Sequence, residues 1–338
     1  MTAVIFPPPR RHPSAAVTLR DRTLTVLGRQ GVLVALVLLV VFGTVRYDNF
    51  LSAYNLLSVL RYNSMFALIA LGMTFVIMTG GIDLSVGSVA AVGSVVSALV
   101  SPYGLIPALV AGVGAGLAVG LVNGFAVARL RILPFIATLA TLLAASGGAL
   151  LLADNQSVSV SWDGLFVELG QGDAFGLPIP ALIAGAAFVA ASVVLNFTGF
   201  GRHVLAVGGN EEAARLMGLP VERIVFVVYA MSGALAGLAG VILASQFGAG
   251  QPTEGAGWEL FAIAAVVVGG TLLTGGIGSV GATLSGVLLL GLIFNILNFE
   301  NGRGSISLSA YWQSVIRGLF LLVVVILQNR LARRHVPQ

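Results

Sequence analysis

Apolar runs long enough to cross a lipid bilayer follow one another along most of this chain, separated by short polar stretches. Ten transmembrane helices are expected, at about 30–46, 63–79, 84–101, 105–127, 133–153, 178–198, 224–246, 258–270, 277–298 and 310–328. One polar stretch stands apart. Gly199–Arg223 carries Arg202, Glu211, Glu212, Arg215, Glu222 and Arg223, while the flanking Ala181–Phe197 and Ile224–Phe247 are free of charge. It reads either as a solvated loop or as a compact element presented to something in water. Its Gly208-Gly209-Asn210 start, Glu211-Glu212-Ala213-Ala214-Arg215 run and Gly218-Leu219-Pro220 stop describe a short helix with capping residues at both ends.

Two interruptions inside the apolar pattern add to the picture. Met65–Val100 is one long apolar run, broken mainly at Gly80-Gly81-Ile82-Asp83-Leu84-Ser85-Val86-Gly87. The glycines loosen the helix. Asp83 with Ser85 either caps the next helix, by accepting its free N–H groups, or lines a solute path at membrane depth. A second break, Gly248–Gly257, precedes an unusually short span, with Glu259 just inside it, facing a water-filled cavity or lying at the interface. A five-plus-five division gives the halves opposite orientation, as in inverted repeats around a central pathway. Gly116, Gly120 and Gly124 recur every four residues, a spacing that lets membrane helices approach closely.

Composition places the chain among all-α integral membrane proteins: 57 % of residues are hydrophobic, 9 % are charged, and the mean hydropathy is +1.01. There is no cysteine and no lysine, so thiol chemistry and a Walker A motif are both excluded. His12, His203 and His335 have no metal-ligand spacing, and no Ser/His/Asp set or carboxylate pair suits covalent chemistry. The chain is therefore not expected to be an enzyme, to hold a cofactor or metal, or to bind nucleic acid. Any pumping must draw energy from another subunit or from an ion gradient.

Charge distribution gives the expected orientation. With the N-terminus in the cytoplasm, thirteen arginines (Arg10, Arg11, Arg20, Arg22, Arg29, Arg129, Arg131, Arg202, Arg215, Arg223, Arg330, Arg333, Arg334) lie inside and only Arg46, Arg61 and Arg303 outside. Asp154, Asp163, Glu168 and Asp173 share one exterior loop with no basic residue. The expected organisation is a cytoplasmic tail at 1–29 that is not a removed signal peptide, one membrane domain at 30–328 containing the cytoplasmic loop 199–223, and a cytoplasmic tail at 329–338.

Met73–Ser88, with its Gly-Gly-Ile-Asp-Leu-Ser-Val-Gly core, resembles the signature of the ribose-type sugar permeases, the membrane subunits of bacterial ABC importers. Leu133–Leu139, Gly208–Gly218 and Glu259–Thr271 are similar to further blocks of that family in the same order. Within it, Gly269–Gly276 and the Asn298-Phe-Glu-Asn ending with Tyr311-Trp312 look closest to the galactofuranose-type permeases. Phe261 departs from the family, which commonly places Asp after Glu-Leu.

The resemblance implies a type II ABC importer-like fold in the bacterial inner membrane, with two permease subunits forming the pore. The second permease subunit is either the same or a related chain. Two cytoplasmic ATPase subunits would bind ATP and Mg, and a periplasmic sugar-binding protein would deliver the solute. It also identifies Gly208, Gly209, Asn210, Glu211, Glu212, Ala213, Ala214, Arg215 and Gly218 as resembling the coupling helix that docks into the ATPase, with Leu216 and Met217 as apolar contacts. Asn63, Phe66, Asp83, Ser85, Phe135, Thr138, Glu259 and Asn295 are candidates for a sugar path of hydroxyls, amides and aromatic faces, or else serve packing and capping. The rivals are an ABC permease for nucleosides or branched-chain amino acids, and an ion-coupled carrier, for which Asp83 and Glu259 would be the only buried acids.

Overall fold

The computed structural model describes residues 19–302, with side chains from 31 onward, and positions 312, 315, 316, 318 and 319. The elements in chain order are α1 (Leu19–Arg46), α2 (Ala53–Met78), α3 (Val86–Val100), α4 (Leu105–Ala128), α5 (Pro134–Leu152), β1 (Val158–Ser159), α6 (Glu168–Gln171), β2 (Asp173–Ala174), β3 (Leu177–Pro178), α7 (Ile179–Phe197), α8 (Gly199–Gly209), α9 (Glu211–Leu216), α10 (Val221–Phe247), β4 (Ala249–Gly250), α11 (Trp258–Val268) and α12 (Val280–Gly302). Helix dominates because each backbone N–H and C=O in a bilayer must find its partner within the chain.

Seven of these helices are long and apolar enough to cross a membrane: α2, α3 with its continuation to Tyr103, α4, α5, α7, α10 and α12. Two differences from the apolar pattern are informative. Helix α2 begins at Ala53, ten residues before the expected 63, because Ser52 accepts the Asn55 N–H and caps it there; Asn55, Arg61 and Asn63 dilute the apolar signal without stopping the helix. The span expected at 258–270 is corrected to an eleven-residue helix, α11. At 1.5 Å per residue it rises only about 16 Å, half a bilayer. The tenth expected span and the tail 329–338 lie outside the described residues, apart from the positions given above, as does the tail before residue 19.

Long-range pairs place the connections on two faces. The 199–223 stretch and the α4–α5 turn share one, joined by Arg129 Nη1 and Glu222 Oε2 at 2.9 Å. On the opposite face, β1 after α5 pairs antiparallel with β4 after α10, Val158 against Gly250, and Arg61 meets Asp173 at 2.6 Å.

Helices α2, α3 and α10 form the centre: 61 % of the most apolar window of α2 is buried and 56 % of that of α10, against 22 % for both α4 and α5. The outer helices turn large apolar side chains outward, such as Leu38, Leu143 and Val189, where a bilayer would solvate them. Between α4 and α10 the spacing of small residues finds its partner. A Cβ on Gly116 would lie 2.6 Å from Gly237 Cα, and one on Gly120 3.0 Å from Gly233 Cα, so both positions exclude any side chain.

Candidate functional site

The charged stretch folds as two helices rather than one. Thr198 caps α8 by accepting the Gly201 N–H at 3.4 Å, and Asn210 Oδ1 caps α9 by accepting the Ala213 N–H at 2.8 Å. Gly208 and Gly209 thus close α8 and do not open the short helix, a correction to their expected place. Gly218 ends the turn at φ +78°, a conformation glycine adopts without strain. Ala214 is buried and anchors α9, Ala213 is half-buried, and Glu211 and Arg215 pair at 2.8 Å along the exposed side. Glu212 is exposed and forms no ion pair among the described residues. Leu216 and Met217 are 85 % and 68 % exposed, two large apolar side chains beside charged groups.

Below α9, three glycine pairs lock together. Gly208 packs against the Met78 carbonyl at the end of α2, and that carbonyl accepts the Gly276 N–H at 3.0 Å. A Cβ on Gly275 would lie 2.8 Å from Gly80 N and 2.9 Å from Gly208 O, and one on Gly276 would lie 2.7 Å from Gly209 Cα. The end of α8, the first break after α2 and the α11–α12 connection are therefore in backbone contact, with no side chain between them to absorb a displacement.

Asp83, in that first break, is buried and surrounded by hydroxyl and amide groups. Its Oδ1 accepts the Ser85 N–H at 3.0 Å and the Ser85 hydroxyl at 2.6 Å; its Oδ2 accepts the Ser232 hydroxyl at 2.9 Å. Asn123 Nδ2 donates to Ser85 Oγ at 2.9 Å, and Thr141 donates to Asn123 Oδ1 at 2.7 Å. The Thr138 hydroxyl reaches Pro134 O at 2.8 Å and Ile82 O at 3.3 Å. Ser85 is the N-cap residue of α3, yet its hydroxyl serves this network and accepts no helix N–H. Ser232 lies eleven residues into α10, about 16 Å along its axis, so the network sits at membrane depth. It ties the break to α3, α4, α5 and α10. A cavity of about 430 Å³ opens beside it, lined by Gly80, Gly81, Arg131, Glu211, Arg215 and Tyr229 among others, and so shared by the break and α9.

The two breaks also meet. Gly87 at the start of α3 touches the Gly255 carbonyl ahead of α11, and a Cβ there would lie 3.0 Å from Glu259 Oε2. Glu259 is half-buried. Phe66 is buried between Trp258 and Phe261, with ring centroids at 4.8 and 4.5 Å, and Phe261 stacks on Phe294 at 5.6 Å. Phe261, the departure from the family pattern, thus belongs to an aromatic column. Asn295 exchanges hydrogen bonds with Asn55, at 2.8 and 3.2 Å, and joins α2 to α12. Asn63 donates to Val59 O at 2.8 Å. Phe135 is 55 % exposed at the start of α5.

Asn63 and Asn295 share a second cavity, of about 310 Å³, with Arg61, Tyr62, Gln246, Phe294 and Asn298 on the face opposite α9. Sequence reading missed Arg61 and Gln246 here, since neither stands in a motif and nothing local marks them as neighbours. It also missed Asn123, Ser232 and Tyr229 around the first break; Asn123 and Ser232 are polar residues inside apolar runs, a signal that was available.

Comparison with known proteins gives a consistent result. The family described as branched-chain amino acid transport system / permease component matches residues 55–325. The chain is 39 % identical over 309 residues to the ribose import permease protein RbsC of Escherichia coli (strain K12), covering 90 % of this chain and 94 % of that one. It is 39 % identical over 308 residues to RbsC of Bacillus subtilis (strain 168), at the same coverage. It is 40 % identical over 300 residues to the L-arabinose transport system permease protein AraH of Escherichia coli (strain K12), covering 88 % and 89 %. No solved structure gives a significant match.

Proposed function

The chain belongs to the branched-chain amino acid transport system / permease component family, and from that premise we propose that it is the membrane-spanning subunit of an ABC importer that carries a monosaccharide across the bacterial inner membrane. The sugar class rests on the ribose and arabinose permeases it resembles over about nine-tenths of its length. ATP and Mg bind to separate cytoplasmic ATPase subunits, a periplasmic binding protein delivers the sugar, and a second permease subunit completes the pore. Both termini face the cytoplasm, a reading that the arginine distribution supports.

One observation carries the reading: α9 is a capped helix with exposed Leu216 and Met217, and the end of α8 directly before it, Gly208-Gly209, is in backbone contact with both the end of α2 and the α11–α12 connection. A short rigid helix with apolar and charged groups suits docking into a cleft of the ATPase. Closure of the ATPase pair would push it and move the first break, switching access between the two faces. Its test is charge reversal at Glu212 or Arg215. Losing one partner of a buried interface charge pair costs about 2–5 kcal/mol, so ATPase retention on a pull-down and sugar-stimulated ATP hydrolysis should both fall while the permease inserts normally. Normal ATPase binding and parental transport in the reversed variants would leave 199–223 as a mere loop.

A further inference from the structure

Between the outer helix α4 and the central helix α10, on the face that carries α9, lies a groove of about 400 Å³ lined by Phe125, Arg129, Glu222, Arg223, Phe226 and Val227. The two helices run antiparallel and nearly touch there: a Cβ on Gly124 would lie 3.2 Å from Phe226 Cα. Each wall repeats one pattern. The Arg129 N–H donates to the Phe125 carbonyl at 2.9 Å, so these two side chains stand one helical turn apart on the same side of α4. On α10, Arg223 and Val227 have the same spacing of four residues. On both walls a large apolar side chain therefore lies about 6 Å further into the membrane than the guanidinium. Phe125 is 52 % exposed and Val227 41 %. Glu222 is the one carboxylate on the lining. Its Oε2 accepts Arg129 Nη1 at 2.9 Å and its Oε1 lies 3.8 Å from Arg215 Nη1, so its charge is shared between two arginines. Arg223 is exposed and forms no ion pair among the described residues, which leaves the rim of the groove positive.

We propose that this groove binds an anionic phospholipid, its phosphate held by Arg223 and Arg129 and its acyl chains lying along Phe125, Phe226 and Val227. A cationic rim above an apolar floor, between two membrane-spanning helices, matches an amphiphile that carries negative charge at one end. Basic pockets between membrane helices hold acidic head groups for the same reason. A soluble protein partner would satisfy the arginines but leave the apolar side chains one turn deeper uncovered. A zwitterionic lipid carries its own compensating cation and gains less from Arg223. Glu222 also approaches Arg215 of α9, so the bound phosphate would adjoin the charged stretch and bias how that carboxylate divides between Arg129 and Arg215.

The chain contains no cysteine, so a fluorophore on a single Val122→Cys, a 57 % exposed position of α4 one turn below Phe125, reports the neighbouring lipid through quenching by brominated acyl chains. The full-length chain is reconstituted in phosphatidylcholine vesicles with a minor fraction of phosphatidylglycerol, the bromine being carried by one lipid or the other. Phosphatidylglycerol should quench this label several-fold more than its share of the bilayer accounts for. At Leu143→Cys, a 66 % exposed position of α5, it should quench only in proportion to its share. Arg223→Gln should remove most of the preference and Arg223→Lys should retain it, since one basic side chain near the surface contributes about fivefold to acidic-lipid binding. Quenching at Val122→Cys in proportion to composition, or a preference that survives Arg223→Gln, would overturn the site. If Arg223→Gln instead releases the ATPase subunits on a pull-down and leaves the lipid preference unchanged, the groove belongs to the ATPase and the lipid site falls.

Discussion

At the residue scale, Asp83 is buried with both carboxylate oxygens bonded, and the groups that donate to it are internal: the Ser85 N–H and hydroxyl and the Ser232 hydroxyl. An amide of the same shape can keep most of these bonds, since the Ser232 hydroxyl can rotate to accept instead of donate. Asp83→Asn should therefore retain most sugar uptake, with a small loss of thermal stability. Asp83→Ala leaves the Ser85 N–H and the Ser85 and Ser232 hydroxyls without their acceptor, and should lower stability in detergent by about 1–3 kcal/mol. Loss of uptake in Asp83→Asn at parental stability would show that the charge itself touches the solute, and the structural role assigned to it here would fall.

At the scale of elements, Gly208 and Gly209 are adjacent in sequence yet differ in what surrounds them. A methyl on Gly208 would collide with the Met78 carbonyl, whereas one on Gly209 meets nothing within 4 Å. Gly208→Ala should force α8 away from α2 and the Gly276 turn, so that the ATPase still binds α9 while ATP hydrolysis no longer drives uptake. Gly209→Ala should be tolerated or slightly stabilising, because alanine favours helix over glycine by about 1 kcal/mol. Reconstituted vesicles measure both quantities side by side. Equal behaviour of the two variants would mean that the backbone contact transmits nothing. The seam between α4 and α10 follows the same steric rule: the spacing of Gly116 and Gly120 was plain in the sequence, but its partner, Gly233 and Gly237 more than a hundred residues later, was not.

At the scale of the whole molecule, the antiparallel pairing of β1 with β4, the Arg61–Asp173 ion pair and the Arg129–Glu222 ion pair sort the connections onto two faces, and the charge bias predicts which of them is outside. A reporter inserted near Asp163 should then be exposed outside the membrane and one fused after Gln338 inside; finding both on one side would overturn the orientation. The chain's own letters determined where the backbone must be helical, because an apolar run in a bilayer has no other way to satisfy its peptide groups. They also marked the charged stretch around α9, since only water or a protein partner tolerates that density of charge. Tertiary structure alone decided that Asp83 faces Ser232, that Gly208 meets Met78, and that Arg61 and Gln246 line one cavity. Those pairings depend on how closely distant backbones approach, and a periodic pattern records which face of a helix is apolar without recording which other helix will cover it.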